Sequence, residues 1–174
     1  MAPVNKAKVF GIRVMTSEAR LLIAVVDDDK SAGKALGRLL RAFGLKAETF
    51  VSGSEFLKWL QNHTPDCVVL DQDMPQMDGF EVQSQLAQIG AHVPVVMITG
   101  LQTPEARERA IEQGATAYLP KPIDAELLLD TIATVIACAR GPRDNQVLNC
   151  RRLRKAEKGK LRTRKLKPDR KSQL

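Results

Sequence analysis

The chain has 174 residues, 44% of them hydrophobic, and this length predicts one globular domain with extensions. No apolar run approaches the roughly 18 residues of a membrane span, and residues 1–14 lack the apolar region of a signal peptide, so membrane insertion is not expected. The charge is divided unevenly: residues 1–140 carry 14 basic and 17 acidic side chains, whereas residues 141–174 carry 13 basic and 3 acidic ones. The three cysteines form no CxxC pair and favour a reducing, cytoplasmic setting.

Ten segments with the periodicity of strands or helices follow one another along the chain. Short apolar runs, or a weak alternation at residues 46–51, predict strands, and apolar residues at spacings of three and four predict helices. In chain order they are a strand at 21–26, a helix at 31–43, a strand at 46–51, a helix at 52–59, a strand at 67–70, a helix at 80–89, a strand at 95–98, a helix at 103–113, a strand at 115–119 and a helix at 124–139.

Residues that begin or end helices lie at the edges of these segments. Gly44 and Gly114 are typical C-terminal stops. Thr103 precedes a proline and can cap the fourth helix, and Asp124 can cap the last one. For the second helix, Ser52 and Ser54 are both acceptable caps.

The strict alternation of strand and helix predicts an α/β fold with a parallel sheet covered on both faces. Parallel strands are joined by right-handed crossovers, which leaves few topologies. We expect a five-stranded, flavodoxin-like, doubly wound sheet with strand order 2-1-3-4-5, followed by a basic C-terminal tail.

Polar side chains of a particular kind follow four of the five predicted strands. Asp27 and Asp28 follow the first strand, Asp71 the third, Thr99 the fourth and Lys121 the fifth. Because the carboxyl ends of parallel strands form the binding crevice of such a sheet, we expect an acidic pocket with one lysine and one threonine at its rim. Clustered carboxylates suit Mg²⁺, and a carboxylate can also act as a nucleophile toward phosphorus.

The motifs around these residues resemble the receiver domain of the bacterial two-component response-regulator family. The matching segments, in the family's order, are Val26-Asp27-Asp28-Asp29, Leu70-Asp71 with Met74-Pro75 and Met77-Asp78-Gly79, Thr99-Gly100, and Lys121-Pro122. The resemblance covers about residues 20–140.

The resemblance implies a role for each residue of the pocket. Asp71 would be the phosphoacceptor, and Lys121 would pair with the phosphoryl group. Asp27 and Asp28 would hold Mg²⁺ together with Asp71 and the backbone carbonyl of Asp73. The side chain of Asp73 is an additional carboxylate that we expect at the rim of the pocket.

The same resemblance implies a conformational switch. Thr99 would be the switch hydroxyl, drawn toward the phosphoryl group, and Tyr118 would be the aromatic residue that rotates inward behind it. The family also predicts a cis peptide bond between Lys121 and Pro122.

The function implied is that of a phosphorylation-dependent response regulator that signals through protein contacts. The phosphodonor would be a sensor histidine kinase or a phosphotransfer protein, and the receiving partner an unknown downstream protein, with a homodimer through residues 103–139 as a further contact. The chain would not be an enzyme beyond taking up a phosphoryl group and slowly hydrolysing its own acyl phosphate.

The sequence alone leaves two alternative functions open. The basic tail, residues 141–174, could contact DNA and make the chain a transcriptional regulator. Asp71-Gln72-Asp73 also has the Asp-x-Asp spacing of haloacid-dehalogenase-like phosphohydrolases, although that motif normally follows the first strand and here follows the third.

The predicted organisation therefore has three parts. Residues 1–19 are expected to be a disordered extension, residues 20–140 the receiver domain, and residues 141–174 a disordered or partly helical tail. The tail has too few apolar residues to build a second core, and it shows no pattern of a helix-turn-helix module.

Overall fold

The computed structural model describes residues 20–100 and 103–141, and within them strands and helices alternate. The predicted N-terminal extension and the predicted tail beyond residue 141 lie outside the described residues. The elements are β1 Leu22–Val26, α1 Lys30–Ala42, β2 Lys46–Phe50, α2 Gly53–Leu60, β3 Cys67–Asp71, α3 Gly79–Gln88, β4 Val95–Thr99, α4 Pro104–Glu112, β5 Ala117–Pro120 and α5 Ala125–Ala139.

The strands form one sheet of order β2-β1-β3-β4-β5, and all four neighbouring pairs are parallel. This confirms the predicted topology. Every residue of β3 and β4 is buried, as expected for central strands with helices on both faces. The order makes β1 a neighbour of β3 and β3 a neighbour of β4, so segments far apart in the chain end side by side.

Alternate strand residues contribute to two hydrophobic cores, one on each face of the sheet. On one face Ile23 and Val25 of β1 pack with residues of α1 and α5. On the other face Ala24 and Val26 pack with residues of α2, α3 and α4. The Cys67 thiol is fully buried in the first core, and desolvation raises its pKa to about 12, so this cysteine packs as an uncharged apolar group.

Side-chain caps account for where the helices begin. Asp29 caps α1, and Asp78 caps α3 in a capping box with Glu81. Thr103 and Asp124 cap α4 and α5, as predicted. Of the two serines proposed for α2, Ser52 is the cap: its hydroxyl accepts from the Glu55 backbone N–H at 3.2 Å.

Six strand boundaries differ from the prediction by one or two residues. β1 begins at Leu22, β2 ends at Phe50 and β5 ends at Pro120, each one residue from its predicted boundary. β3 and β4 each extend by one residue, because the ladder pairs Asp71 with Ile98 and Thr99 with Pro120. β5 begins at Ala117 rather than at residue 115, because the Ala115 N–H still donates to the Ala110 carbonyl at the end of α4. Asp71 and Thr99 are therefore part of the sheet, and their backbone positions are fixed by its ladder.

The C-terminal end of α5 is tied to the segment that precedes β3. Arg140 forms an ion pair with Asp66, whose other carboxylate oxygen accepts from the Leu22 N–H at 2.8 Å. This contact lies at the predicted end of the domain. None of the helices that the structure describes is long and apolar enough to cross a membrane.

Candidate functional site

The predicted site residues meet at the carboxyl edge of the sheet. Asp71 and Thr99 are the last residues of β3 and β4, while Asp27 and Lys121 directly follow β1 and β5. The register brings them together, because Val26 pairs with Leu70 across β1 and β3. Residues separated by 22 to 94 positions in the chain thus meet at one edge of the sheet, as the topology predicted.

Three carboxylates form the acidic part of the crevice. One oxygen each from Asp27, Asp28 and Asp71 lies within 4.8 Å of the others. Asp27 and Asp71 are almost fully buried, at 2% and 3% exposure, whereas Asp28 is exposed. Charges this close repel one another unless a cation lies near them or a proton is bound.

Lys121 supplies a cation to two of these carboxylates. Its Nζ atom lies 2.9 Å from Oδ2 of Asp71 and 3.5 Å from Oδ2 of Asp27. Desolvation alone would lower the pKa of Lys121, but the hydrogen bond to Asp71 and the charges of Asp71 and Asp27 raise it above its usual value. The ammonium is therefore charged at neutral pH.

Asp27 experiences the repulsion within the cluster most clearly. Burial and then the charge of Asp71 raise its pKa above 3.8, and together they outweigh the attraction of Lys121 and the hydrogen bond from the Asp29 N–H. That N–H donates to Oδ1 of Asp27 at 2.9 Å. A divalent cation would relieve this repulsion.

The cluster fits the Mg²⁺ ion that the resemblance implies. Oδ1 of Asp71 is buried and has no hydrogen-bond partner among the described residues, whereas Oδ2 contacts Lys121. A buried carboxylate oxygen without a donor is unfavourable unless a cation or another group binds it. Carboxylate oxygens are the hard ligands that Mg²⁺ prefers, so Asp27, Asp28 and Asp71 are suitable in type and in spacing.

The carboxylate of Asp73 lies at the rim, as expected. Its Oδ2 accepts from the Gly100 backbone N–H at 3.4 Å, a long contact. The role of the Asp73 backbone carbonyl as a metal ligand remains a prediction. Thr99 was expected at the rim but is fully buried next to Gly100, because it is the last residue of the central strand β4. Its carbonyl accepts from the Lys121 N–H at 2.7 Å.

The bond between Lys121 and Pro122 is cis, as the resemblance predicted. It follows directly on β5, where the chain leaves the sheet. Lys121 lies in the segment between β5 and α5.

Sequence reasoning missed two residues that shape the site. Gly79 lies so close to the end of β3 that a Cβ atom on it would be 2.7 Å from the Asp71 carbonyl oxygen and 2.9 Å from the Gln72 Cα. Gln72 accepts a hydrogen bond from the Tyr118 hydroxyl at 3.3 Å, across 46 residues of sequence. The Met77-Asp78-Gly79 motif offered a signal for the glycine, but nothing in a single sequence pairs Gln72 with Tyr118.

Comparison with known proteins places this geometry in a family context. The family model described as "Response regulator receiver domain" matches residues 23–133. The response regulator protein TodT of Pseudomonas putida (strain F1) is 36% identical over 135 residues, which cover 78% of this chain and 59% of TodT. The chain therefore spans about three-fifths of the length of this curated relative.

Solved structures of receiver domains share the fold. The response regulator receiver protein from Burkholderia phymatum is 45% identical, with a TM-score of 0.61 over 67% of this chain and 95% of that one. The BeF3-activated DrrB receiver domain is 30% identical, with a TM-score of 0.62 over 68% of this chain and 98% of that one.

Proposed function

The chain belongs to the response-regulator receiver family, and from this premise we propose that it takes a phosphoryl group onto Asp71 and signals through the resulting conformational change. The observation that carries this assignment is the buried Asp71 carboxylate. One of its oxygens contacts Lys121 and the other has no donor among the described residues. Two further carboxylates complete an acidic crevice around it.

The phosphodonor is a phosphohistidine on a sensor histidine kinase or on a phosphotransfer protein. A carboxylate oxygen of Asp71 attacks the phosphorus, the phosphorus–nitrogen bond breaks, and its electron pair returns to the imidazole of the donor. Lys121 is close enough to move from the carboxylate to an oxygen of the transferred group. Gly100 has no side chain and leaves room for that group beside Thr99.

Asp27, Asp28 and Asp71 would hold Mg²⁺, with the backbone carbonyl of Asp73 as the further protein ligand. When bound, the ion supplies positive charge that offsets the negative charge of the carboxylates and of the phosphoryl group. Without such charge, the approach of an anionic phosphodonor to three carboxylates is unfavourable.

The switch follows from the new negative charge on Asp71. The Thr99 hydroxyl donates to a phosphoryl oxygen, and Tyr118 takes up the space behind it. The surface of residues 103–139 changes as a result, which is where a downstream protein or a second copy of the chain would bind. A partner that prefers the phosphorylated form would increase its population.

The chemistry is confined to the chain itself. It transfers one phosphoryl group onto Asp71, and water slowly hydrolyses the acyl phosphate, without turnover of an external substrate. Residues 20–140 would form this receiver domain, in a cytoplasmic setting where histidine kinases present their phosphohistidine. No observation on the described residues favours DNA binding or an Asp-x-Asp phosphohydrolase.

Intact-mass spectrometry of the full chain with Mg²⁺ and acetyl phosphate tests this function. The wild type is expected to gain one acid-stable, base-labile phosphoryl group, which should not form when a chelator removes Mg²⁺ before the phosphodonor is added. Asp71→Asn should gain none. Asp130→Asn, which changes an exposed aspartate on α5, is the matched control and should behave like the wild type. A folded wild type without an adduct, or an adduct retained in Asp71→Asn, would contradict the assignment.

A further inference from the structure

Gln72 is a buried polar residue directly beside the proposed phosphoacceptor. Its side chain is only 8% exposed. Its backbone N–H donates to the Ile98 carbonyl at 2.8 Å, and its own carbonyl accepts from the Gly79 N–H at 3.0 Å. The backbone is therefore held on both sides, and the direction of the side chain is set by the end of β3.

The side chain of Gln72 meets an aromatic residue from two strands away. Tyr118 lies on β5, opposite Met97 of β4, and β4 separates β5 from β3. The ring packs against the core cluster on the Met97 face of the sheet. Its hydroxyl donates to Oε1 of Gln72 at 3.3 Å, a long contact for an O–H···O hydrogen bond, so the ring reaches across β4 toward the end of β3.

We propose that Gln72 is a positioning residue for Tyr118. The side-chain oxygen of Gln72 holds the Tyr118 ring across β4 before any phosphoryl group is present. This inference rests on the proposed function, because it assigns Tyr118 to the switch. It goes beyond that function by making the residue next to Asp71 a determinant of the resting position of the switch.

The physical basis is a population difference between two ring positions. A hydrogen bond of this type favours the position that makes it by about two- to tenfold, once competition with water is counted. If phosphorylation also requires the ring across β4, Gln72 lowers the free-energy difference that the phosphoryl group must supply. The bond between Gln72 and Tyr118 and the phosphoryl group on Asp71 then favour the same state.

The alternative is that Gln72 only fills space at the end of β3. Methionine has a similar length and no amide oxygen, so Gln72→Met keeps the packing and removes the acceptor. Gln72→Glu keeps an acceptor at the same reach and should restore the bond. The two variants therefore separate positioning from packing.

Fluorine NMR on the full chain reads the position of the ring directly. Tyr118 is the only tyrosine in the sequence, so incorporation of 3-fluorotyrosine gives one signal. Its shift between H₂O and D₂O reports the solvent exposure of the ring. Without a phosphodonor, we expect Gln72→Met to raise this exposure and Gln72→Glu to return it toward the wild-type value. Unchanged exposure in Gln72→Met, or equal changes in both variants, would overturn the proposal.

A binding measurement with beryllofluoride, a phosphoryl mimic, keeps the test valid if Gln72→Met folds poorly. Tyr118→Phe removes the same hydrogen bond from the other side. We expect it to weaken beryllofluoride binding by about two- to tenfold. Unchanged beryllofluoride binding in Tyr118→Phe would overturn the proposal.

The two failures can be told apart. If acetyl phosphate leaves wild-type Asp71 unmodified, the proposed function fails. The fluorine measurement is made without phosphodonor or Mg²⁺, so it decides the role of Gln72 in either case.

Discussion

The Nζ atom of Lys121 lies 2.9 Å from Oδ2 of Asp71, although 50 residues separate them in the chain. The same ammonium is 3.5 Å from Oδ2 of Asp27. One cation thus partly neutralises two buried carboxylates, which stand beside a third that is exposed. Under the proposed function, Lys121 would exchange a carboxylate oxygen for an oxygen of the arriving phosphoryl group.

Replacement of Lys121 by methionine should affect phosphorylation and metal binding in opposite directions. Loss of the ammonium removes positive charge from the arriving phosphoryl group, so phosphorylation by acetyl phosphate should slow by about ten- to a hundredfold. Loss of the same charge removes repulsion toward Mg²⁺, so the ion should bind more tightly. The rate is measured by intact mass and the affinity by calorimetry.

Lys58→Met provides the control for this pair of measurements, because Lys58 is exposed on α2. It should leave the rate and the Mg²⁺ affinity as in the wild type. An unchanged phosphorylation rate in Lys121→Met would show that the lysine does not meet the phosphoryl group.

Asp27→Asn should make the metal-free protein more stable at neutral pH. The native pKa of Asp27 is raised above 3.8, first by burial and then by the charge of Asp71. The folded chain therefore binds a proton here more tightly than the unfolded chain. The free energy of unfolding consequently falls as the pH rises from 3.8 through the native pKa, and this cost persists at neutral pH. Asparagine cannot ionise and should remove this cost.

Urea unfolding with and without Mg²⁺ checks this prediction. Mg²⁺ should stabilise the wild type more than Asp27→Asn, because the variant has lost a ligand. The pH dependence between about 4 and 7 should also be flatter in the variant. Asp130→Asn should match the wild type in each respect, and a metal-free Asp27→Asn that is less stable than the wild type would contradict the argument.

Gly79→Ala should destabilise the domain despite the better helix propensity of alanine. The added Cβ would lie 2.7 Å from the Asp71 carbonyl oxygen and 2.9 Å from the Gln72 Cα, and backbone atoms cannot rotate away. Overpacking of this kind costs about 1–3 kcal/mol. Because the displaced backbone carries Asp71, phosphorylation should slow as well.

Gly33→Ala on α1 is the matched control, since its Cβ would meet its nearest neighbour, the Asp27 Cβ, at an ordinary 3.8 Å. It should gain about 0.5–1 kcal/mol from reduced flexibility of the unfolded chain and better helix propensity. Thermal unfolding and the rate of adduct formation measure both variants. A Gly79→Ala protein as stable as Gly33→Ala would show that the end of β3 can move to accept the methyl group.

Much of the fold was predictable because each element carries its own signal. Asp124 and Thr103 were identified as caps from residue type and position, and the structure has both. The choice between Ser52 and Ser54 was not predictable, because both residues suit a cap and only the packing of α2 decides where its first turn lies. The start of β5 was also missed, because the Ala115 N–H still donates to the Ala110 carbonyl of α4.

The sequence by itself restricted the sheet to a few parallel topologies, one of which is the observed order, and it identified the residues that meet at the edge of the sheet. Alternating strands and helices permit few parallel topologies, and residues placed directly after strands must meet at one edge. Only the tertiary structure decided the distances within the pocket, the oxygen of Asp71 that contacts Lys121, and the contact between Gln72 and Tyr118. These depend on side chains that come together from three strands, and the spacing of residues along one chain carries no information about such contacts.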